Sequence, residues 1–337
     1  MKLFSSDRYT KPGPGVEKNE PKKPAVVRFF MTLWNKKYGI IGVNFFYVFC
    51  NILTVALVAL LFNGCISLYN VFNPDARLLE TIASSDGAND LYFKLMFFFT
   101  ILFTSVPVFA FGPFQAGFTF ILKSFVKEEP CFLWHDYITK TRSNFGVALK
   151  TSVINAAAAV IIMMNATAYF VIADPQSKTY SGIPFFMLFL IAAVIIFFAF
   201  LLTMMCMYMY HMIVTFNITL KQLYRNAFML VMVKWLPTLL IFLLDCVIVG
   251  LPVFLLPTYN YMVFILMLAA YILFLPGLIG LINNFFVYPV IKKYMIDNVK
   301  ADKSAPDMTR TADNRQDAEK AGGGRFENGR WINDDEE

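Results

Sequence analysis

Charge is what this chain has least of: of 337 residues only 15% are Asp, Glu, Lys or Arg, while 58% are hydrophobic. That balance excludes a soluble fold, because one aqueous core cannot bury so much apolar side chain. Histidine is nearly absent, and the two present, His135 and His211, are too few and too isolated for a metal site to be expected. Five cysteines, Cys50, Cys65, Cys131, Cys206 and Cys246, are odd in number, widely spaced and mostly inside apolar runs. They read as small buried hydrophobes, not as a disulfide framework. No HExxH, GxSxG, Walker lysine or GxGxxG pattern occurs, so neither enzyme activity, a catalytic residue nor a cofactor is expected. The first 24 residues lack an apolar core, so no cleavable signal is expected and the first hydrophobic run should stay as an anchor.

What is present is apolar sequence in long blocks, with 37 Phe. The expected fold is all-α: a polytopic membrane protein with a six-transmembrane-helix bundle and short cytosolic interfacial helices. Residues 1–37 form a basic arm, mostly disordered, with Val26, Phe29, Phe30, Leu33 and Trp34 at helical spacing near the membrane. Residues 38–291 hold the spans: Gly39 to Phe62, Phe93 to Leu122, Val147 to Ile172, Pro184 to Val214, Ala227 to Leu256 and Tyr261 to Val290. Each is long enough for a hydrocarbon core of about 30 Å. Pro107 and Gly112-Pro113 should break the second, since proline removes a backbone donor. Asn63 to Tyr92 is an expected external loop, and residues 292–337 an expected disordered tail.

Orientation follows from the basic residues. Of 29 Lys and Arg, 24 lie before the first span, in the loops after the second and fourth, or after the sixth. The expected location is the cell membrane, multi-pass, with both termini cytosolic and the basic ends against an anionic inner leaflet. Topology thereby accounts for the net charge of +6, and nucleic acid is not an expected partner. Three stretches entering spans look alike, FFMTLWNKKYG at Phe29, WHDYITKTRSNFG at Trp134 and FNITLKQLYRNAF at Phe216. They are compatible with a threefold array of interfacial helix plus helical hairpin, and equally with the basic amphipathic character of any such loop.

Polar groups within spans are the site candidates, because an ionised side chain in hydrocarbon costs about 3 kcal/mol or more. Asp245 is the one acid deep in a span, and Lys234 lies eleven residues before it, about 16 Å along a helix. The two therefore cannot pair directly, and Lys234 is placed to snorkel. Asn44, Asn51, Gln115, Asn155, Asn165, Asn283 and Asn284 are intramembrane amides, suited to joining helices or to lining a polar cavity that contains Asp245.

Residues 125–145 form the longest charged interval between apolar blocks. Pro130 suits a first helical position, Glu128 and Glu129 suit a helix N-terminus, and Asp136 and Lys140 are spaced to pair. Trp134, Tyr137, Ile138 and Phe145 should share one face, giving an interfacial helix, and Glu128, Glu129, Pro130, Trp134, Asp136 and Arg142 are the loop's candidates for binding a partner. Gly112-Pro113-Phe114-Gln115-Ala116-Gly117, Lys127-Glu128-Glu129-Pro130 and Phe132-Leu133-Trp134-His135-Asp136 together resemble the YesL family of bacterial membrane proteins. Tyr137 stands where that family usually has Phe. The resemblance implies a helical inner-membrane protein associated with carbohydrate uptake, with a sugar transporter subunit as the partner class, and no catalytic residue. An accessory or regulatory role in uptake is the leading expectation, and a small transporter using Asp245 is the alternative. The substrate and the oligomeric state are not specified at this level.

Overall fold

The structure, a computed structural model, describes residues 24–73, 86–173, 182–255, 261–297, 324–327 and 330–333. Among the described residues twelve α-helices run in chain order: α1 Ala25–Asn35, α2 Lys37–Cys50, α3 Ile52–Phe72, α4 Asp86–Ser105, α5 Gly112–Val126, α6 Leu133–Ser143, α7 Phe145–Ala173, α8 Phe185–Ile213, α9 Leu220–Val233, α10 Trp235–Leu255, α11 Tyr261–Leu273 and α12 Leu275–Ile291. Among the described residues five helices are long and apolar enough to cross a membrane, namely α3, α7, α8, α10 and Leu275–Asp297, which makes this a multi-pass membrane protein. The chain divides into two compact units, Met1–Val287 and Tyr288–Glu337.

Three of the six expected spans are interrupted. The second breaks over residues 106–111, between α4 and α5, where Pro107 and Pro113 remove backbone donors as expected. The first breaks at Asn51 and the sixth at Phe274, neither of which composition signals. The expected external loop from Asn63 is shorter than its polarity implies, because α3 continues to Phe72. Asn63 Nδ2 donates to the Ala59 carbonyl one turn back (2.8 Å), so the amide extends the helix instead of ending it. The fifth span starts later than Ala227. Leu223, Ala227, Leu230 and Val231 are buried at helical spacing, so α9 runs through Asn226 to a break at Lys234.

Three times an amphipathic helix passes into an apolar one through a single poorly helical residue. These are Lys36 (φ −106°, ψ 12°), Asn144 (φ −104°, ψ 8°) and Lys234 (φ −125°, ψ 32°). The sequence likeness is therefore a likeness of junctions, with the third displaced from Asn226. Helix α9 is held by a full capping box, Thr219 Oγ1 accepting from Gln222 N (3.4 Å) and Gln222 Oε1 from Thr219 N (3.0 Å).

Helix α5 is the centre of the first unit, with 13 of its 15 residues buried. It packs against α2, α6, α7 and α8. Its glycines permit this: a Cβ on Gly112 would run into the Ala148 carbonyl of α7, and one on Gly117 would stand 2.5 Å from Thr141 Oγ1 and 2.8 Å from the Tyr137 carbonyl of α6. The GP-x-x-AG stretch is thus the sequence trace of a helix with neighbours on every side. Lys123 Nζ donates to the Val214 carbonyl (3.3 Å) and to Thr215 Oγ1 (3.1 Å), so α5 and α8 finish together at what is here called the loop end. Toward that end α8 is buried continuously from Cys206 to Ile213, whereas Phe185, Phe186, Phe189 and Phe197 near its start are exposed. Lipid is the medium in which that exposed apolar face is stable.

Residues 127–132 correct the expectation of a helix started at Pro130. Glu128 has a left-handed backbone (φ 58°), its N–H reaches the Phe125 carbonyl (3.1 Å), and Glu129 N–H reaches the Ser124 carbonyl (3.0 Å). That is the Schellman ending of α5, so both acids close one helix and do not open the next. Helix α6 starts at Leu133, and Asp136 accepts from the Phe132 N–H (2.8 Å) in place of pairing with Lys140. Lys140 Nζ lies over the Phe120 ring instead, 4.8 Å from its centroid.

In the second unit, a π-helical stretch Lys292–Asp297 follows α12, and Gly324–Glu327 (β1) pairs antiparallel with Arg330–Asn333 (β2), Phe326 opposite Trp331. These strands lie within residues 292–337, the stretch expected to be a disordered tail. Residues 1–23 of the expected arm and most of the tail lie outside the described residues.

Gly117→Ala should lower the melting temperature of the detergent-solubilised protein, at a cost of about 1–3 kcal/mol for overpacking. Gly146→Ala, where a Cβ meets nothing within 4 Å, should leave it unchanged or raise it. Equal behaviour of the two variants would refute the close α5–α6 approach.

Candidate functional site

The broken helices create the site. At the first break, Asn51 Nδ2 donates to the Tyr47 carbonyl (2.9 Å), while Asn51 Oδ1 accepts from Phe111 N–H (2.8 Å) at the start of α5. One amide therefore ties the break at Asn51 to the break over 106–111. Tyr47 donates its hydroxyl to the Thr104 carbonyl, and Thr104 Oγ1 and Tyr271 OH share a hydrogen bond (3.0 Å). Asn44 Nδ2 donates to the carbonyls of Tyr271 (3.1 Å) and Ile272 (2.8 Å), just ahead of the break at Phe274. Three helix breaks are thus stitched by two amides, two tyrosines and a threonine.

Not every candidate amide belongs to a site. Asn155 Oδ1 accepts from Tyr224 OH (2.7 Å), and its Nδ2 lies 3.6 Å from the Met209 sulfur, which joins α7 to α9 and α8. Asn165 Nδ2 donates to Ile161 of its own helix (2.8 Å). Asn44, Asn51 and Asn155 are helix-joining groups. Lys234 is half-buried at the α9–α10 junction, where its carbonyl accepts from Thr238 Oγ1 (2.7 Å), and Tyr208 OH bonds that same hydroxyl (2.8 Å).

Gln115, Asn283 and Asn284 converge with residues that no motif marks. With Ser105, Tyr210 and His211 they line a void of about 10 Å³ between α4, α5, α8 and α12. Every one of the six is more than nine-tenths buried. Asp245 does not line this void, which corrects the expectation of one cavity containing it. It sits in α10 with no exposure, both carboxylate oxygens lacking a hydrogen-bond partner, and Asn283 is its polar neighbour. Asn283 therefore stands between the acid and the void. His211 was unmarked because a lone histidine near a loop resembles any other. Only the tertiary arrangement brings it to Asn284, with its Nδ1 on the Met207 carbonyl (2.9 Å).

A larger cavity of about 770 Å³ lies between α3, α4, α7 and α8, walled by side chains such as Phe62, Phe99, Met163 and Phe170. Its walls suit hydrocarbon and offer a polar solute almost nothing. The loop residues are largely engaged within the chain. Trp134 lies against Phe46 with ring centroids 4.6 Å apart and the rings tilted at 52°, and Tyr137 is buried. Lys127 pairs with Glu129, while Pro130 and Arg142 are exposed. Cys131 is a half-buried free thiol whose pKa is raised by burial and then by Asp136, which makes it a poor nucleophile.

Asn51→Leu strands the Phe111 N–H in an apolar surrounding and should cost about 1–3 kcal/mol of stability, read as a lower melting temperature. Asn51→Asp keeps the acceptor but buries a carboxyl and turns an oxygen onto the Tyr47 carbonyl, so it should cost at least as much; a wild-type melting temperature in Asn51→Leu would count against the Asn51–Phe111 link. No family model, curated protein or solved structure matches this chain.

Proposed function

We propose that this chain is a membrane transporter for a small solute, with Asp245 as the group that links movement of the solute to a proton or cation. The observation that carries the reading is Asp245 itself, a carboxylate with no exposure and no hydrogen-bond partner, placed in an apolar helix. An uncompensated acid there is costly, and such acids in membrane helices serve ion and proton pathways. Further support comes from the discontinuous helices around it, an arrangement transporters use to expose backbone and amide groups to ions. A void of about 10 Å³ has no room for a sugar, so the arrangement described is a closed one. Opening would bend the chain at Asn51 and over 106–111. The basic loop end is taken as cytosolic and the membrane as the cell membrane, following the positive-inside distribution.

The test is uptake by proteoliposomes containing only this protein, using labelled mono- and disaccharides under an imposed proton or Na⁺ gradient. Gradient-dependent uptake should appear and fall at least tenfold in Asp245→Asn, with the melting temperature unchanged or raised because a buried charge is removed. Uptake no greater than in empty liposomes would sink the reading.

A second reading, the accessory role in carbohydrate uptake that the YesL resemblance implies, draws on one feature. Phe132 is 78% exposed and Trp134 58% exposed beside the acids Glu128 and Glu129. A sugar transporter subunit docking there should co-purify under gentle extraction and be lost in Phe132→Ala with Trp134→Ala. A wild-type protein that extracts alone would remove this role.

A further inference from the structure

We propose that the void between α4, α5, α8 and α12 binds one dehydrated monovalent cation, Na⁺ foremost. This deepens the transport reading, on which it rests for its purpose though not for its binding. The void measures about 10 Å³ and admits a single water-sized particle. Six polar atoms of its wall have no hydrogen-bond partner: Ser105 Oγ, Gln115 Oε1, Tyr210 OH, His211 Nε2, Asn283 Oδ1 and Asn284 Oδ1. The exposure of these residues lies between 1% and 6%. Buried polar atoms left unpaired in such number at one spot call for an occupant.

The chemistry of the wall selects the occupant. Gln115 Nε2 is spent on Thr119 Oγ1 (3.1 Å) and Asn284 Nδ2 on the Gly280 carbonyl (2.8 Å), so the oxygens of both amides remain to accept. His211 Nδ1 faces the Met207 carbonyl (2.9 Å) and so carries the proton, which leaves Nε2 a bare lone pair. Four pure acceptors, from Gln115, His211, Asn283 and Asn284, therefore surround a space for one particle. A water molecule has two hydrogens and satisfies half of them, and neither the Ser105 nor the Tyr210 hydroxyl reaches the others. A cation satisfies all four at once.

Position and charge agree. Ser105 is the last residue of α4, so the void lies at the negative end of a helix dipole. No carboxylate lines the void, and no three His, Cys, Asp or Glu converge among the described residues, so the donor set suits a single positive charge and not a divalent ion. Asp245 lies on the other side of Asn283. Lys123 is engaged by the Val214 carbonyl and Thr215 Oγ1.

The experiment is a thermal melt of the purified full-length protein in detergent, titrated with NaCl, KCl or choline chloride at equal ionic strength. Na⁺ should raise the melting temperature saturably, K⁺ less, and choline not at all. Ser105→Ala and Asn284→Leu should each raise the half-saturating Na⁺ concentration about tenfold or more, equal to about 1.4 kcal/mol of binding. Asn165→Ala, outside the void, should leave it unchanged. Ser105→Ala deletes one oxygen and keeps the test valid should Asn284→Leu fail to fold. A folded wild-type protein that melts identically in all three salts overturns the site, and does so even if Asp245-dependent uptake is found. A Na⁺ shift without uptake keeps the site and sinks the transport reading.

Discussion

Hydrocarbon cannot solvate a backbone N–H or C=O, and this chain breaks its helix where water is excluded. Over residues 106–111 the helical ladder stops while Val106, Val108, Phe109 and Ala110 are almost completely buried. Each group left unpaired there would cost several kcal/mol. The surrounding structure answers that cost: Asn51 takes the Phe111 N–H, Tyr47 gives its hydroxyl to the Thr104 carbonyl, and Tyr271 holds Thr104 from the far side. The break is tolerated because neighbouring spans supply polar atoms to it.

The consequence is a helix, α5, that starts inside the bundle and has neighbours all round. Glycine at 112 and 117 lets α7 and α6 approach to backbone contact. The Schellman ending at Glu128 then turns the chain sharply back toward α6, in a conformation that costs a non-glycine residue about 1–2 kcal/mol. Ending α4 early also places Ser105 beside Gln115, Tyr210, His211 and the Asn283-Asn284 pair. The break therefore builds the polar void as well as the scaffold, and a displacement of α5 would act on both.

Much of this was legible in the residues. Long apolar blocks show a membrane protein, Pro107 and Pro113 mark the main break, and Asp245 stands out as the lone deep acid. The amides were legible as a class, but their division was not. Asn155 and Asn284 occupy equally apolar surroundings in sequence, yet one meets Tyr224 on another helix while the other turns its oxygen into a void. The loop misled for a physical reason: Glu-Glu-Pro reads as a helix start whether or not the preceding helix has finished. Only the hydrogen bonds from Glu128 and Glu129 show that it had not.

Sequence by itself determined the solvent, the blocks that cross it and the one acid that must be accounted for there, since transfer energies and proline stereochemistry are properties of single residues and short runs. Tertiary structure alone decided that the helix breaks at Asn51, over 106–111 and at Phe274 share one set of stitches, that α5 is packed among α2, α6, α7 and α8, and that His211, Ser105 and Tyr210 belong to the polar site. These are relations between residues far apart in the chain, set by which helix faces meet. No local pattern in the sequence carries that information.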